Sequence, residues 1–378
     1  MNQNYSVNIT LNSSSFIRPL PALKQIQNRT FTEQYVFPFY AEVLFYIIQC
    51  ILSILGLFGN ILVILSVRCN PQMKKSISNL FIQNLAIADV GVLAISHTFV
   101  LGLEIKDFVW PFGEFCCRVI YPFSDSFYGV SIWSIVAISF HRYRGIVHIM
   151  RTQLSRKRAR FILAAAWFLP VIIISLPLWI FMQLIPEYQL CDVIWPSHGS
   201  RLAYFIILNF LFYVLPLAMI VYFYLRIRVA LKASSGFHRQ MTKSSSTSAL
   251  RDDLTKQIQR NAKALRVLTP VVVVFFATML PFTAFRLAFV FTNMSQFRYT
   301  RTLFFASIIS VLANSSANPL IYTIVSPEFR RSFMEFLGLK KCLKGNQNSA
   351  MRKSMLSRKT SEYFSTLNGK KSNREESF

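Results

Sequence analysis

Asp89 and Asp125 make the greatest chemical demand on this chain. Each is the only charged residue in a long apolar block, Asp89 in residues 76–103 and Asp125 in residues 119–140. A carboxylate in such a setting costs at least a few kcal/mol unless polar groups serve it. Asn60, Ser131, Asn314, Ser315 and Asn318 are the polar residues able to serve Asp89, as a hydrogen-bonded and hydrated cluster. Pro319 removes a backbone donor beside Asn318, so the segment there must find other partners, and such a joint can exchange them between two states. Arg142, between His141 and Tyr143, closes the block that holds Asp125. Taken alone it reads as an arginine snorkelling to a membrane surface. Asn4, Asn8, Asn12 and Asn28 each open an Asn-x-Ser/Thr triplet, as does Asn293, and these are acceptors for N-glycosylation.

The elements that must position these residues are apolar blocks. Residues 43–67, 161–186, 202–225, 267–285 and 302–327 hold no Asp, Glu, Lys or Arg. With the blocks around Asp89 and Asp125 they make seven, each long enough to cross about 30 Å of hydrocarbon as a helix of roughly 20 residues. The 378 residues are 53% hydrophobic yet carry a net charge of +25, a combination that fits if charge is confined between spans. With an outside N-terminus, 32 of the 41 Lys and Arg fall on the inside, in 68–75, 141–160, 226–266 and 328–378. The basic balance is therefore a topology signal, and binding to nucleic acid is excluded because no basic stripe belongs to a folded soluble domain. Residues 1–35 are polar and lack the pattern of a cleavable signal, so the first span is expected to serve as the uncleaved one. No internal repeat and no inverted pair of interrupted helices supports a transporter.

The fold class expected is all-α: a seven-transmembrane-helix bundle with a short amphipathic membrane-surface helix and disordered tails. The segments are a glycosylated extracellular tail (1–39), the bundle (40–326), the surface helix (327–342) and a cytoplasmic tail (343–378). The surface helix reads from Glu328–Leu339 and would contact membrane lipid; Cys342 behind it is a candidate for palmitoylation. The tail is polar, and Ser349, Ser354, Ser357, Thr360, Ser361, Ser365 and Thr366 are candidate kinase targets whose phosphorylation would recruit arrestin.

Ordered landmarks now add up. They are Gly59-Asn60, Asn84-Leu85-Ala86-Ile87-Ala88-Asp89, Trp110-Pro111-Phe112-Gly113 before Cys117, and His141-Arg142-Tyr143. Trp167, Pro177, Pro216, Tyr224, Phe275 and Pro281 follow, then Asn314-Ser315-Ser316-Ala317-Asn318-Pro319-Leu320-Ile321-Tyr322. In order and spacing over residues 43–338 the chain resembles the rhodopsin-like G-protein-coupled receptors, and within them the peptide-receptor branch. The resemblance implies a receptor and not an enzyme, at the plasma membrane, coupled to heterotrimeric G proteins, with receptor kinases and arrestin as further partners. It implies a Cys117–Cys191 disulfide, with Cys116 the competitor that the family's interval from Trp110 disfavours. Asp89, Ser131, Asn314, Ser315 and Asn318 resemble a pocket for an allosteric sodium ion, and no other cofactor is implied. His141, Arg142, Tyr143, Tyr224, Phe275, Pro281, Pro319 and Tyr322 resemble the coupling and activation machinery. Phe99, Ser124, Asp125, Tyr128, Asp192, Met279, Phe282, Arg286 and Ile308 are the ligand-binding candidates.

Three positions depart from that pattern. His141 stands where the family usually has an acid, and Asn261 stands where an acid often ends the sixth helix. Fewer carboxylates near Arg142 shift population towards the active state, so ligand-independent signalling is expected. His141 also brings a group that titrates near neutrality. At the sixth-helix bend Met279 replaces the usual tryptophan, leaving Phe275 and Phe282 as the expected trigger. Ser124 stands where amine receptors carry Asp, with Asp125 one place on, which disfavours an amine. Leu312 stands where light-sensing members hold retinal on lysine. A peptide is the leading ligand, because Glu33, Glu42, Glu104, Asp107, Glu114, Glu187 and Asp192 mark the expected rim, opposite Arg286, Arg298 and Arg301. A lipid, amine or chemosensory ligand is the alternative, and a non-signalling scavenger a more distant one.

Overall fold

The structure, a computed structural model, describes residues 38–148, 154–187, 189–241, 248–292, 297 and 299–338, with the side chains of 234–268 set aside. The four N-terminal triplets, Asn293, Arg298, Glu33, Cys342 and the 343–378 tail lie outside the described residues, as does the side chain of Asn261.

Among the described residues seven helices are long and apolar enough to cross a membrane: α1 (Phe39–Cys69), α2 (Ile77–Ile105), α3 (Gly113–Val147), α4 (Arg156–Phe181), α5 (His198–Ala233 of a helix running on to Met241), α6 (Thr269–Phe291 of Ser248–Phe291) and α7 (Thr300–Val325). Their packing inverts that of a water-soluble bundle. Large apolar side chains stay exposed on the rim, among them Ile54, Leu55, Phe161 and Phe168, while Asn60, Asp89, Ser124, Ser134 and Ser139 are fully buried. That distribution suits hydrocarbon outside and polar contacts between helices inside.

Helices α1 to α4 and α5 to α7 pack on one another in chain order, α7 closes back on α1, and α4 meets α5 where Tyr204 Oη donates to the Ile174 carbonyl at 3.1 Å. The central helix is α3, which meets α2, α4, α5 and α6. Small and polar residues allow the close approaches. A Cβ on Gly56 would lie 2.7 Å from Leu93 Cδ1, and one on Gly59 would lie 2.7 Å from Pro319 Cβ. Asn60 Nδ2 donates to the Ser315 carbonyl at 3.1 Å, and Ser316 Oγ donates to the Leu52 carbonyl at 2.8 Å, so α1 is stitched to α7 beside its proline. Trp167 Nε1 donates to Asn84 Oδ1 at 2.9 Å and Asn84 Nδ2 to Ser134 Oγ at 2.8 Å, which ties α4, α2 and α3 together.

Wide π-type turns interrupt four of the spans. Three of them, Cys116–Ile120, Val171–Ser175 and Phe210–Val214, end two residues before Pro122, Pro177 and Pro216. Proline lacks the N–H for the carbonyl four residues back and its ring crowds that carbonyl, so the turn widens. No proline accounts for the fourth, Val92–Ser96, and we have no physical account of it.

The apolar block 161–186 is not helical to its end. The helix stops at Phe181, and β1 (Met182–Ile185) pairs antiparallel with β2 (Leu190–Val193), Leu184 opposite Cys191. Alternation of apolar and polar residues in so short a run is masked when it abuts a long apolar helix. A separate unit holds α8 (Pro327–Phe336), in which Phe329 and Phe333 share one face, a turn apart, and Arg330 and Arg331 lie off it.

Candidate functional site

The hairpin roofs a cavity of about 240 Å³ at one end of the bundle. Cys191 in β2 is joined to Cys117 at the head of α3, with Cα atoms 5.7 Å apart. The lining comes from α2 to α7 and both strands, and the cavity descends from Asp192 and Trp195 to Ser131, Asn314 and Ser315. One space thus joins the hairpin end to the polar cluster at mid-bundle.

Seven of the nine ligand-binding candidates line it: Asp125, Tyr128, Asp192, Met279, Phe282, Arg286 and Ile308. Two do not. Ser124 is fully buried, its Oγ donates to the Tyr121 carbonyl at 2.7 Å, and its own carbonyl accepts from Ser96 Oγ, so it faces α2. Phe99 packs against Trp110, Phe112 and Tyr121, with centroids 5.6, 5.0 and 5.7 Å away, in an aromatic knot beneath the α2–α3 loop. Rotation by one residue on α3 decides the first case, and a larger aromatic attraction than the cavity offers decides the second. The cavity also takes Trp195, Tyr204 and Phe205, which no motif marks: Trp195 precedes α5, and Tyr204 and Phe205 sit in an apolar block with no landmark before Pro216.

Most of the expected rim charges are engaged within the protein. Arg301 on α7 forms ion pairs with Glu42 on α1 and, at 3.7 Å, with Asp107. Glu114 pairs with Arg118 one turn on, at 3.2 Å. Glu104 is 2% exposed and turns inwards, accepting from Gln49 Nε2 at 3.0 Å. Gln49 Oε1 meets His97 Nε2 at 2.9 Å, and His97 Nδ1 meets Ser53 Oγ at 2.8 Å, forming a buried polar column between α1 and α2. Among the described residues that leaves Glu187 and the charges within the cavity to meet a ligand.

At mid-bundle Asp89 is fully buried. Its Oδ1 accepts from Ser131 Oγ and its Oδ2 from Asn318 Nδ2, both at 2.8 Å, and Ser315 is a third partner. Asn314 Oδ1 accepts from Thr278 Oγ1 at 3.3 Å, a link between α6 and α7 that no sequence signal marked. Thr278 also donates to the Val274 carbonyl at 2.7 Å, so its hydroxyl is shared between its own helix and α7. Met279 is buried beside it and Phe275 fully buried one turn away. The oxygens gathered here are hard, with a single carboxylate, and no group of three His, Cys, Asp or Glu occurs among the described residues. Such a set suits a monovalent cation far better than zinc or calcium.

Arg142, His141 and Tyr143 lie together at the opposite end, on the last turns of α3. His141 packs its ring 5.7 Å from that of Phe81, and its Nδ1 is buried with no hydrogen-bond partner among the described residues. Tyr143 stacks on Phe223 with centroids 5.1 Å apart and its hydroxyl meets His148 Nε2 at 3.1 Å. Tyr224 lies under Arg228, and Tyr322 is buried on α7 beyond Pro319. The arrangement is one of binding groups and helix joints.

The chain matches the family described as 7 transmembrane receptor (rhodopsin family) over residues 59–322. It is similar to the somatostatin receptor type 2 of Mus musculus, 30% identical over 339 residues that cover 85% of either chain. It is 31% identical to the somatostatin receptor type 5 of Bos taurus over 299 residues, 78% of this chain and 76% of that one. To the substance-P receptor of Rattus norvegicus it is 26% identical over 314 residues, 81% of this chain and 74% of the relative.

Proposed function

The chain belongs to the rhodopsin family of seven-transmembrane receptors and is not an enzyme, and from that premise we propose that it binds an extracellular peptide and activates heterotrimeric G proteins. In this reading it lies in the plasma membrane with the hairpin end and N-terminus outside and the Arg142 end facing the cytoplasm. The observation that carries it is the hairpin-roofed cavity, which holds charged and aromatic groups at one depth and reaches the Asp89 cluster at another. A peptide's side chains suit that mixture better than an amine does, since Ser124 faces away and Asp125 takes its place.

A ligand seated against Met279 and Phe282 presses on α6 on either side of Pro281, where the helix lacks a backbone hydrogen bond and yields most easily. The Thr278–Asn314 link then carries the change to α7 beside Pro319. Phe275 repacks, the cytoplasmic end of α6 moves off α3, and Arg142 meets the G protein with Tyr224 and Tyr322 in support. Receptor kinases and arrestin would act on the serine-rich tail, and Cys342 would carry an acyl chain.

The Asp89 cluster is read as the seat of an allosteric sodium ion, with Asp89, Ser131, Asn314, Ser315 and Asn318 as the residues that would hold it. The ion would supply positive charge to a carboxylate otherwise costly to bury. Sodium is expected to raise the melting temperature of the purified chain relative to a large organic cation, and Asp89→Asn to abolish that difference.

The receptor reading is tested by a G-protein dissociation assay in cells exposed to fractionated peptide extracts, with Arg142→Ala as control. Dissociation in the wild type and its loss in the variant at matched surface expression are expected. Ligand uptake without dissociation of any G protein would favour a scavenger instead.

A further inference from the structure

Arg286 projects from α6 into the cavity between two rings, its Cζ 5.3 Å from the centroids of both Phe205 and Phe282. Aromatic faces on a guanidinium occupy its π-surface and leave the N–H edge for something else. Among the described residues no acceptor meets that edge. Asp125 of α3 lines the same cavity and likewise has neither a hydrogen-bond nor an ion-pair partner among the described residues. The two lie close enough to feel one another's charge, yet they form no ion pair. The other charged pair nearby is internal to the protein: Asp192 accepts from its neighbour Val193 N at 2.8 Å and interacts with Arg201 on α5.

A cation and an anion that share a cavity without joining are each short of a counter-charge, and each has lost much of its water. A ligand group carrying both signs would satisfy the two at once. We propose that Arg286 and Asp125 form a divided clamp for a zwitterionic peptide end, the carboxylate bound in bidentate fashion by Arg286 and the cationic nitrogen by Asp125. The proposal rests on the cavity being the ligand site and names what that site selects. A carboxylate and a cation within one residue of each other can come from a free C-terminus with a basic side chain, or from an N-terminal ammonium with an acidic side chain. The rings of Phe205 and Phe282 add a preference for an aromatic residue next to that end.

The test uses the full chain in lipid nanodiscs and its melting temperature with synthetic dipeptides. N-acetyl-Phe-Arg with a free carboxylate represents the first source, and Glu-Phe-amide the second. N-acetyl-Phe-Arg-amide and N-acetyl-Glu-Phe-amide each lack one charge and serve as controls. One of the two zwitterionic probes is expected to stabilise the wild type at millimolar concentration, with an affinity at least about tenfold above its singly charged control. Arg286→Gln and Asp125→Asn should each remove that advantage, and Arg286→Lys should restore part of it, because it keeps the charge and loses the fork. Comparable melting of the variants without probe shows that they fold. The proposal is overturned if neither zwitterion stabilises the wild type, if the controls do so equally, or if the advantage survives both variants. G-protein dissociation by peptide extracts is scored separately. A response to extracts that persists in Arg286→Gln and Asp125→Asn leaves the receptor reading intact and removes this one.

Discussion

Replacing His141 by Asp puts a carboxylate beside Arg142 in a pocket that now holds a ring against Phe81 and a buried nitrogen with no hydrogen-bond partner. A charge there favours whichever state keeps the arginine close, so ligand-independent G-protein dissociation should fall severalfold in His141→Asp at matched surface expression. Equal basal signals in the two proteins would remove the idea. A second residue-scale expectation concerns Thr278, whose hydroxyl joins α6 to Asn314. Thr278→Val keeps the volume and deletes the bond, which is worth about 1 kcal/mol. Basal activity should shift by up to about fivefold, while Asn314→Ala should shift it in the same direction and add little in the double variant. Roles at this scale were only partly legible in the sequence. Asp125 stood out because a lone acid in an apolar block has few explanations. Ser124 and Phe99 lie off the cavity, which the sequence does not reveal because spacing fixes a residue's height along a helix far better than the direction its side chain takes. Thr278 gave no signal, since a threonine that satisfies its own helix looks the same on paper as one that bridges to the next.

Among elements, the seven spans were legible because membrane physics acts on composition over some twenty residues and leaves little room for alternatives. The hairpin Met182–Ile185 with Leu190–Val193 was not, since its apolar strand ran on from α4 without a break in hydropathy. The engaged rim could not be foreseen either: Arg301 lies 259 residues from Glu42 in sequence, and their meeting depends on α7 closing the ring beside α1. That closure is sterically tight. Gly56→Val would drive a side chain into Leu93 and Ser316, and Gly59→Val into Pro319. Overpacking of this kind costs about 1–3 kcal/mol. Each variant should therefore lower the melting temperature of the purified receptor by several degrees, and a conservative Gly56→Ala should do so less than Gly56→Val. Variants as stable as the wild type would mean that the α1–α7 seam yields more readily than its contacts imply.

For the molecule as a whole, the Cys117–Cys191 bond closes a loop with a sequence separation of 74 and pins the hairpin over the cavity. Cys191→Ser should leave membrane insertion intact and weaken ligand binding by at least tenfold, read as ligand-dependent dissociation against surface expression. A second consequence follows from the stitching of α1 to α7, which holds at the hairpin end through Arg301 and Glu42, and at mid-bundle through Ser316, Leu52, Asn60 and Ser315. Phe45 and Phe305 stack between those levels with centroids 5.2 Å apart. A helix fastened to its neighbour at several heights cannot stay behind when that neighbour bends at Pro319. Its far face, where Ile54 is 66% exposed, touches neither the cavity nor the Arg142 end. A spectroscopic label at Ile54 would thus ride with α7 while standing clear of both ligand and G protein, which makes the outer face of α1 the best place from which to watch the receptor switch.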